Sequence, residues 1–246
     1  MPSWVVSLGL DVIQQAAVAA TTFVVGYFWL RVGNRSRFRY QNPSVVTVIV
    51  SASAHTMTGT YRRSSTGIGQ VRALAVINRR FNTAYGRKLL DQVFTSDAEL
   101  AGRIEHDLLV LGGPKTNKVA ADIIAQVQAD QPDFPLAPVR DSVAVWDGKE
   151  YASVGDGTQL SRDHGYVVRV RNPFAPANSR ANVLIFGGAS TCGGHAAARV
   201  FVTDRWFRRR GDYAALVECQ VRDGFPTRVR VIARAVRGRG GRWERL

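Results

Sequence analysis

The sequence predicts an α/β fold in which a single N-terminal transmembrane helix precedes a mostly parallel sheet with antiparallel additions. Three observations lead to this prediction. An uncharged apolar run lies near the N-terminus, strand-like and helix-like segments alternate in the first half of the remaining chain, and short strand-like segments dominate the second half. The chain of 246 residues suits one domain plus an anchor, and about 200 residues are enough to bury a core.

The apolar run extends from Val12 to Leu30 and contains no charged residue. A helix of this length can cross roughly 30 Å of hydrocarbon, and the aromatic residues 27–29 at its end suit the headgroup zone. Only Asp11 is charged before the run, whereas Arg31, Arg35, Arg37 and Arg39 follow it. The positive-inside rule therefore predicts a single-pass protein of the cell membrane, with its N-terminus outside and its C-terminal domain in the cytoplasm. The alternatives are a buried core helix and a signal peptide, although a signal peptide carries its positive charges before the apolar run.

We divide the chain into three parts. Residues 1–33 are the transmembrane anchor, residues 34–43 are a basic juxtamembrane linker, and residues 44–246 form one α/β domain. The two cysteines, Cys192 and Cys219, are too few for a disulfide scaffold and favour a reducing compartment. No CxxC or HExxH spacing is present, so we expect no metal site.

The net charge of +14 favours anionic partners but does not indicate which kind of anion is bound. A basic surface attracts anionic lipid, nucleic acid and phosphorylated ligands alike. For a chain tethered to a bilayer the membrane is the nearest partner, and nucleic acid is the less favoured one. Arginine far outnumbers lysine among the 33 cations, which a GC-rich genome explains as readily as function does.

The predicted elements of the domain begin with a buried strand at residues 44–51 and a long polar loop. Helical spacing of apolar residues predicts a helix over residues 70–85, and LLDQVF predicts a strand over residues 89–94. Ser96 followed by Glu99 indicates the capped start of another helix. Shorter strand-like segments follow, which we interpret as an inserted hairpin and antiparallel edge strands. These segments are residues 141–147, 149–155, 164–174, 213–221 and 227–236.

Two similar units carry the candidate binding site. DLLVLGG at residues 107–113 and NVLIFGG at residues 182–188 are apolar strands that end at a glycine pair and continue into alanine-rich helices. Such a turn points backbone N–H groups and the positive end of a helix dipole at one place, where an anion can bind. The predicted ligand-binding residues are Gly112, Gly113, Lys115, Thr116 and Asn117 in the first turn and Gly187, Gly188, Ser190, Thr191, Gly193 and Gly194 in the second.

With these two turns, the sequence resembles the Rossmann-like nucleotide-binding domains of bacterial nucleotide-sensing and nucleotide-processing proteins. The resemblance implies a Rossmann-like sheet whose ligand is a nucleotide or another phosphorylated small molecule. The spacing from Gly188 to Gly193 matches that of a P-loop, but Gly194 stands where a P-loop has lysine, so we do not expect ATP hydrolysis of that type. The pattern indicates no particular cofactor.

Three classes of function fit these features. The first is a ligand sensor or effector at the membrane, and the second is a membrane-tethered enzyme that cleaves or transfers at a glycosidic bond of a nucleotide. Such an enzyme needs a carboxylate in the cleft, for which Glu99, Glu105 and Asp107 are the candidates, while Cys192 and His195 are a candidate nucleophile and base. The third is a scaffold in which the glycines only permit tight turns. The sensor is favoured because binding features are visible and an acid/base pair is not.

Overall fold

A long N-terminal helix projects from the domain. In the computed structural model, which describes residues 3–58, 61–140, 143–156 and 159–246, helix α1 extends from Ser3 to Phe38. Its stretch Gln15–Phe38 is long and apolar enough to cross a membrane, by length and composition alone. The side chains of residues 15–30 are exposed, so the domain does not bury this part of α1 as a core helix.

The last turn of α1 belongs to the core of the domain. Phe38 is fully buried, with its ring centroid 5.4 Å from that of Phe81 and 5.5 Å from that of Phe201. Tyr40, just beyond the helix, is buried beside it. Residues 34–38, for which the sequence suggested a linker, are therefore helical, and they pack on the domain because burial of the Phe38 ring is favourable.

Fourteen strands and three further α-helices follow α1 in the part of the chain that the structure describes. In chain order they are β1 (Thr47–Val50), β2 (Ala54–Thr58), β3 (Tyr61–Ser65), α2 (Ile68–Tyr85), β4 (Val93–Thr95), β5 (Leu108–Leu111), α3 (Lys118–Asp130), β6 (Leu136–Arg140), β7 (Val143–Trp146), β8 (Lys149–Ala152), β9 (Val154–Gly155), β10 (Leu160–Arg171), β11 (Asn182–Gly188), α4 (Thr191–Thr203), β12 (Tyr213–Arg222), β13 (Phe225–Arg237) and β14 (Trp243–Arg245). Two short 3₁₀ helices, Leu90–Gln92 and Arg205–Arg208, precede β4 and follow α4.

The main sheet has the strand order β14-β13-β12-β10-β11-β5-β1-β4, with β9 paired to β10. Strands β4, β1, β5 and β11 are parallel to one another, and β10, β12, β13 and β14 extend the sheet by antiparallel pairing. The predicted α/β fold, a parallel sheet with antiparallel additions, is confirmed at this level. The predicted inserted hairpin is also present as β7 and β8, although residues 141 and 142 of its first segment lie outside the described residues, as do the first two residues of the expected anchor.

The parallel strands are mostly apolar, as expected for a sheet whose two faces are covered by helices. In β5, Leu109 and Leu111 pack in the core with α2 and α4, whereas Leu108 and Val110 pack in the core with α3. All four side chains are fully buried, and each such burial stabilises the fold by roughly 1.5–3 kcal/mol.

Two predictions for the segments around β4 are wrong. The long polar stretch after β1 is not a plain loop, because it contains the antiparallel pair β2–β3. Residues 96–106 form turns instead of a helix, because the Ser96 hydroxyl accepts the Ala52 N–H at 3.2 Å and donates to Thr116 O at 3.4 Å. The side chain expected to cap a helix thus joins two neighbouring loops. The strand predicted over residues 89–94 is shortened to β4.

The end of α1 and the glycine turns lie at opposite edges of the parallel strands. Tyr40 Oη donates to Leu108 O at 3.3 Å, and the Asp107 carboxylate accepts the N–H groups of Gln41 at 2.6 Å and of Asn182 at 2.8 Å. These residues stand where β5 and β11 begin, whereas the glycine pairs stand where the same strands end. A strand as long as β11 spans about 20 Å, which sets the separation between the two edges.

Candidate ligand-binding site

The two glycine turns are side by side because β5 and β11 are neighbours in the sheet. The Gly112 N–H donates to Phe186 O at 2.9 Å, which ties one turn to the other. Together with the start of α2 they surround a cavity of about 200 Å³. The residues that line this cavity are Ser53, Gln70, Ala73, Leu111, Gly112, Gly113, Lys115, Thr116, Phe186, Gly187, Gly188, Ala189, Ser190, Thr191 and Gly194.

Asn117 and Gly193 belong to the predicted set but do not line the cavity. Asn117 is fully buried and caps α3, since its Oδ1 accepts the Ala120 N–H at 3.1 Å and its Nδ2 donates to Leu111 O at 3.1 Å. Gly193 lets α4 approach β10, because a Cβ there would lie 2.1 Å from His164 O. The structure thus brings together nine of the eleven predicted residues, and it gives the other two a role in shaping the turns.

Gln70 and Ser53 line the cavity without having been predicted. Gln70 lies in the first turn of α2, and its Oε1 accepts the Ser51 N–H and the Thr66 hydroxyl, each at 2.9 Å. It is buried, and a Cβ on Gly112 would lie 3.1 Å from its Nε2. The sequence did show a glutamine at the start of a predicted helix. It did not show that this side chain binds Ser51 and Thr66, because both residues lie outside that helix.

Several of the glycines are required by the fold itself. Gly112 has φ +108°, and a Cβ there would lie 1.8 Å from Ser51 Oγ. A Cβ on Gly187 would meet the Tyr166 ring at 2.2 Å, and one on Gly188 would meet Gly194 N at 2.7 Å. Gly194 is different, because the nearest atom to its added Cβ is Phe186 O at 3.7 Å, an ordinary contact distance.

The positive end of α4 is already occupied by a carboxylate of the chain. Asp163 is fully buried and accepts hydrogen bonds from Ser190 Oγ, from the Gly193 N–H and from Ser153 Oγ at 2.7 Å. A negative charge is stabilised at a helix N-terminus, so Asp163 serves here as an internal anion. Among the cavity-lining residues that the structure describes, Lys115 alone carries a charge, and its side chain is exposed at the mouth.

The candidate catalytic groups do not form a reactive pair. Cys192 Sγ donates to Gly224 O at 3.5 Å, and burial together with the charge of Asp163 raises the pKa of the thiol. Burial lowers the pKa of His195 to about 4, so both side chains are neutral near pH 7. Of the carboxylates considered from the sequence, Glu99 and Glu105 are exposed and Asp107 lies at the opposite edge of the sheet.

The buried His195 predicts a loss of stability in acid. Its pKa falls from 6.5 to about 4 because of burial and because Arg199 on α4 and Arg72 on α2 lie nearby. Since the folded state disfavours the charged imidazole, this stabilisation is present above pH 6.5 and is lost as the pH falls towards 4. We expect the free energy of unfolding to fall by ~1–3 kcal/mol over this range on account of His195.

Urea denaturation of the full chain at several pH values measures this loss. The variant His195→Gln should show a smaller decrease than the wild type between pH 6.5 and 4, whereas His106→Gln, at an exposed position, should follow the wild type. Equal pH dependence of the wild type and His195→Gln would refute the assignment.

No family model matches this sequence, and no curated protein is significantly similar to it. The function must therefore be inferred from the geometry of the cavity and of α1.

Proposed function

We propose that α1 anchors the chain in the cell membrane and that its cytoplasmic domain binds a nucleotide or another phosphorylated small molecule, as a sensor or effector. The observation that carries the proposal is the meeting of two glycine turns, far apart in the sequence, around one cavity. Glycine at both turns allows a ligand to approach the backbone closely.

The topology of the parallel strands supports this site. Their order β4-β1-β5-β11 matches the 2-1-3-4 order that occurs in doubly wound sheets, and α2 packs on one face of these strands and α3 on the other. In such sheets ligands bind beyond the carboxyl ends of the strands, where the strand order reverses. Here that point lies between β1 and β5, and both Gln70 and Gly112 are beside it.

The lining of the cavity suits a compact ligand with one charged end. Ala73, Leu111 and Phe186 provide apolar walls, while Gln70 and Thr116 provide hydrogen-bonding groups. A volume of about 200 Å³ is below the roughly 300–1,000 Å³ common for drug-sized ligands, so the cavity fits a small molecule or one end of a nucleotide. Because Asp163 occupies the α4 terminus, we place the phosphate at Lys115 and the first glycine turn.

The same features favour binding over catalysis. None of the cavity-lining residues within the described ranges is acidic, so the site has no carboxylate for general acid/base chemistry at a glycosidic bond. The cavity also lies at the edge of the sheet opposite to α1, so it takes its ligand from solution and not from the bilayer surface. The arginines that follow the apolar run support a cytoplasmic domain.

A thermal-shift measurement tests the proposal. The full chain in nonionic detergent is screened against mononucleotides, dinucleotides, sugar phosphates and inorganic phosphate, and we expect at least one phosphorylated probe to raise Tm. Lys115→Gln should weaken the affinity for that probe at least about tenfold, because a charge-assisted hydrogen bond is worth roughly 1.5–3 kcal/mol. Its Tm without ligand should not change, since Lys115 is exposed.

Lys149→Gln is the matched control, because Lys149 is exposed in the β7–β8 hairpin outside the cavity. It should bind the probe as the wild type does. If no phosphorylated probe raises Tm, or if Lys115→Gln binds every probe with wild-type affinity, the proposal is wrong.

A further inference from the structure

Two arginine-rich segments that are far apart in the sequence meet around the end of α1. The Arg39 guanidinium donates to Arg208 O at 3.1 Å and to Arg209 O at 3.3 Å. The Arg208 guanidinium lies against the helix, because a Cβ on Gly33 would be 3.0 Å from Arg208 Cζ. The 3₁₀ helix Arg205–Arg208 therefore packs beside the last turns of α1.

Two further arginines of α1 bind the C-terminus of α2 close to this contact. Arg31 and Arg35 each donate from Nε to Ala84 O, at 3.3 and 2.8 Å. This places positive charge at the negative end of the α2 dipole, which is its favourable position. We define the arginine collar as six exposed or half-buried arginines of these segments, among which Arg208 is not counted because its guanidinium packs against Gly33: Arg31, Arg35, Arg39, Arg205, Arg209 and Arg210.

The two carboxylates that flank residues 205–210 in the sequence pair with arginines outside the collar. Asp204 binds Arg234 with an N–O distance of 2.6 Å, and Asp212 binds Arg237 at 3.5 Å. The pKa of Arg39 is lowered by burial and then by the charges of Arg169 and Arg210, so positive charges crowd one another at this place. The collar thus presents a concentrated positive field for which an external anion is the natural complement.

The collar directly adjoins the exposed apolar surface of α1. Phe28 and Trp29 are 61% and 69% exposed one turn before Arg31, where aromatic side chains favour the headgroup zone. The collar is then at the depth of the lipid phosphates, which long arginine side chains can reach while their stems stay in apolar surroundings.

We infer that the arginine collar binds the headgroups of anionic phospholipids in the bilayer that α1 enters. This inference rests on the proposed anchoring of α1. Each arginine near an anionic membrane surface contributes about 1 kcal/mol, so several together fix the domain against the membrane. Because the cavity lies at the opposite edge of the sheet, a domain held in this way keeps its ligand site open to the cytoplasm.

Reconstituted full chain tests the inference. Its Tm is measured in vesicles of phosphatidylcholine alone and in vesicles that also contain phosphatidylglycerol. We expect a higher Tm with phosphatidylglycerol, because this lipid binds the folded collar, and we expect salt to reduce the difference. The variant Arg205→Gln/Arg209→Gln/Arg210→Gln should lose most of the difference.

A matched control removes three exposed arginines at the cavity edge of the sheet, in the variant Arg162→Gln/Arg222→Gln/Arg228→Gln. It should keep the difference, because these residues lie far from α1. If the triple collar variant does not fold, Arg205→Gln/Arg210→Gln replaces it, since both side chains are exposed and neither is part of the core.

Alkaline carbonate extraction separates the two hypotheses. Chain that carbonate removes from both kinds of vesicle would contradict the anchoring itself. If the vesicles retain the chain but its Tm is the same in both lipids, α1 anchors the chain and the collar does not bind anionic lipid. The same conclusion follows if the control variant loses as much of the Tm difference as the collar variant does. A Tm rise with a single-stranded oligonucleotide but none with phosphatidylglycerol would assign the collar to nucleic acid and overturn the inference.

Discussion

Replacing Phe38 by alanine should lower the free energy of unfolding of the domain by about 3–5 kcal/mol, the usual cost of removing a buried phenylalanine ring. Phe38 is fully buried, although it is the last residue of a helix whose apolar stretch is exposed. Its ring lies edge-on to the rings of Phe81 on α2 and Phe201 on α4, so its loss leaves a cavity between the two helices. Urea denaturation of the full chain in detergent measures the change.

Phe28→Ala is the matched control, because it makes the same substitution on the same helix at a position that is 61% exposed. It should leave the unfolding of the domain within about 0.5 kcal/mol of the wild type. A Phe38→Ala variant as stable as Phe28→Ala would show that the end of α1 is not part of the core.

The same packing determines where a soluble fragment can begin. A fragment that starts at Asn42 lacks Phe38, Tyr40 and the buried Arg37, whose guanidinium donates to Phe201 O. A fragment that starts at Arg31 keeps these three residues and the bond from Arg31 to Ala84 O. The longer fragment is therefore the better choice for binding measurements on a chain without residues 1–30.

The sequence allowed the glycine turns to be predicted because their signal is local. A run of apolar residues that stops at Gly112 or at Gly187 can end a strand and start a helix without any partner. Both β5 and β11 are apolar, which is typical of strands that are buried on two faces in the centre of a sheet. The structure places them next to each other there. For these reasons nine of the residues that line the cavity could be predicted from the sequence.

Tertiary contacts account for what the sequence did not reveal. Asp163 and Gly193 are far apart in the chain, so nothing local predicts that one carboxylate fills the N-terminus of α4. Residues 34–43 were interpreted as a linker because they are mostly polar and three of them are arginine, and this composition concealed the two aromatic residues that enter the core. The pair β2–β3 was missed because its sequences, AHTMT and YRRSS, lack the regular apolar–polar alternation that marks a half-buried strand.

Gly194 is the position at which a substitution separates ligand binding from folding. Gly194→Ala should reduce the affinity for the phosphorylated probe at least tenfold, and Gly194→Val should abolish detectable binding, because the added carbons enter a cavity of only about 200 Å³. The fold should tolerate the methyl group, since its nearest contact is Phe186 O at 3.7 Å. Alanine is also favoured over glycine inside a helix by roughly 0.8–1.0 kcal/mol, so Tm without ligand should stay equal or rise.

Two further glycines make the outcome decisive. Gly188→Ala should lower Tm even without ligand, because its Cβ would lie 2.7 Å from Gly194 N and the backbone must move. Gly240→Ala should change neither Tm nor affinity, because no atom lies within 4 Å of its added Cβ and the residue is outside the cavity. A thermal-shift titration of all four variants therefore distinguishes a blocked cavity from a damaged fold. If Gly194→Val keeps wild-type Tm and still binds the probe with wild-type affinity, the ligand does not occupy this cavity, and the glycine turns serve only to let the helices approach the sheet.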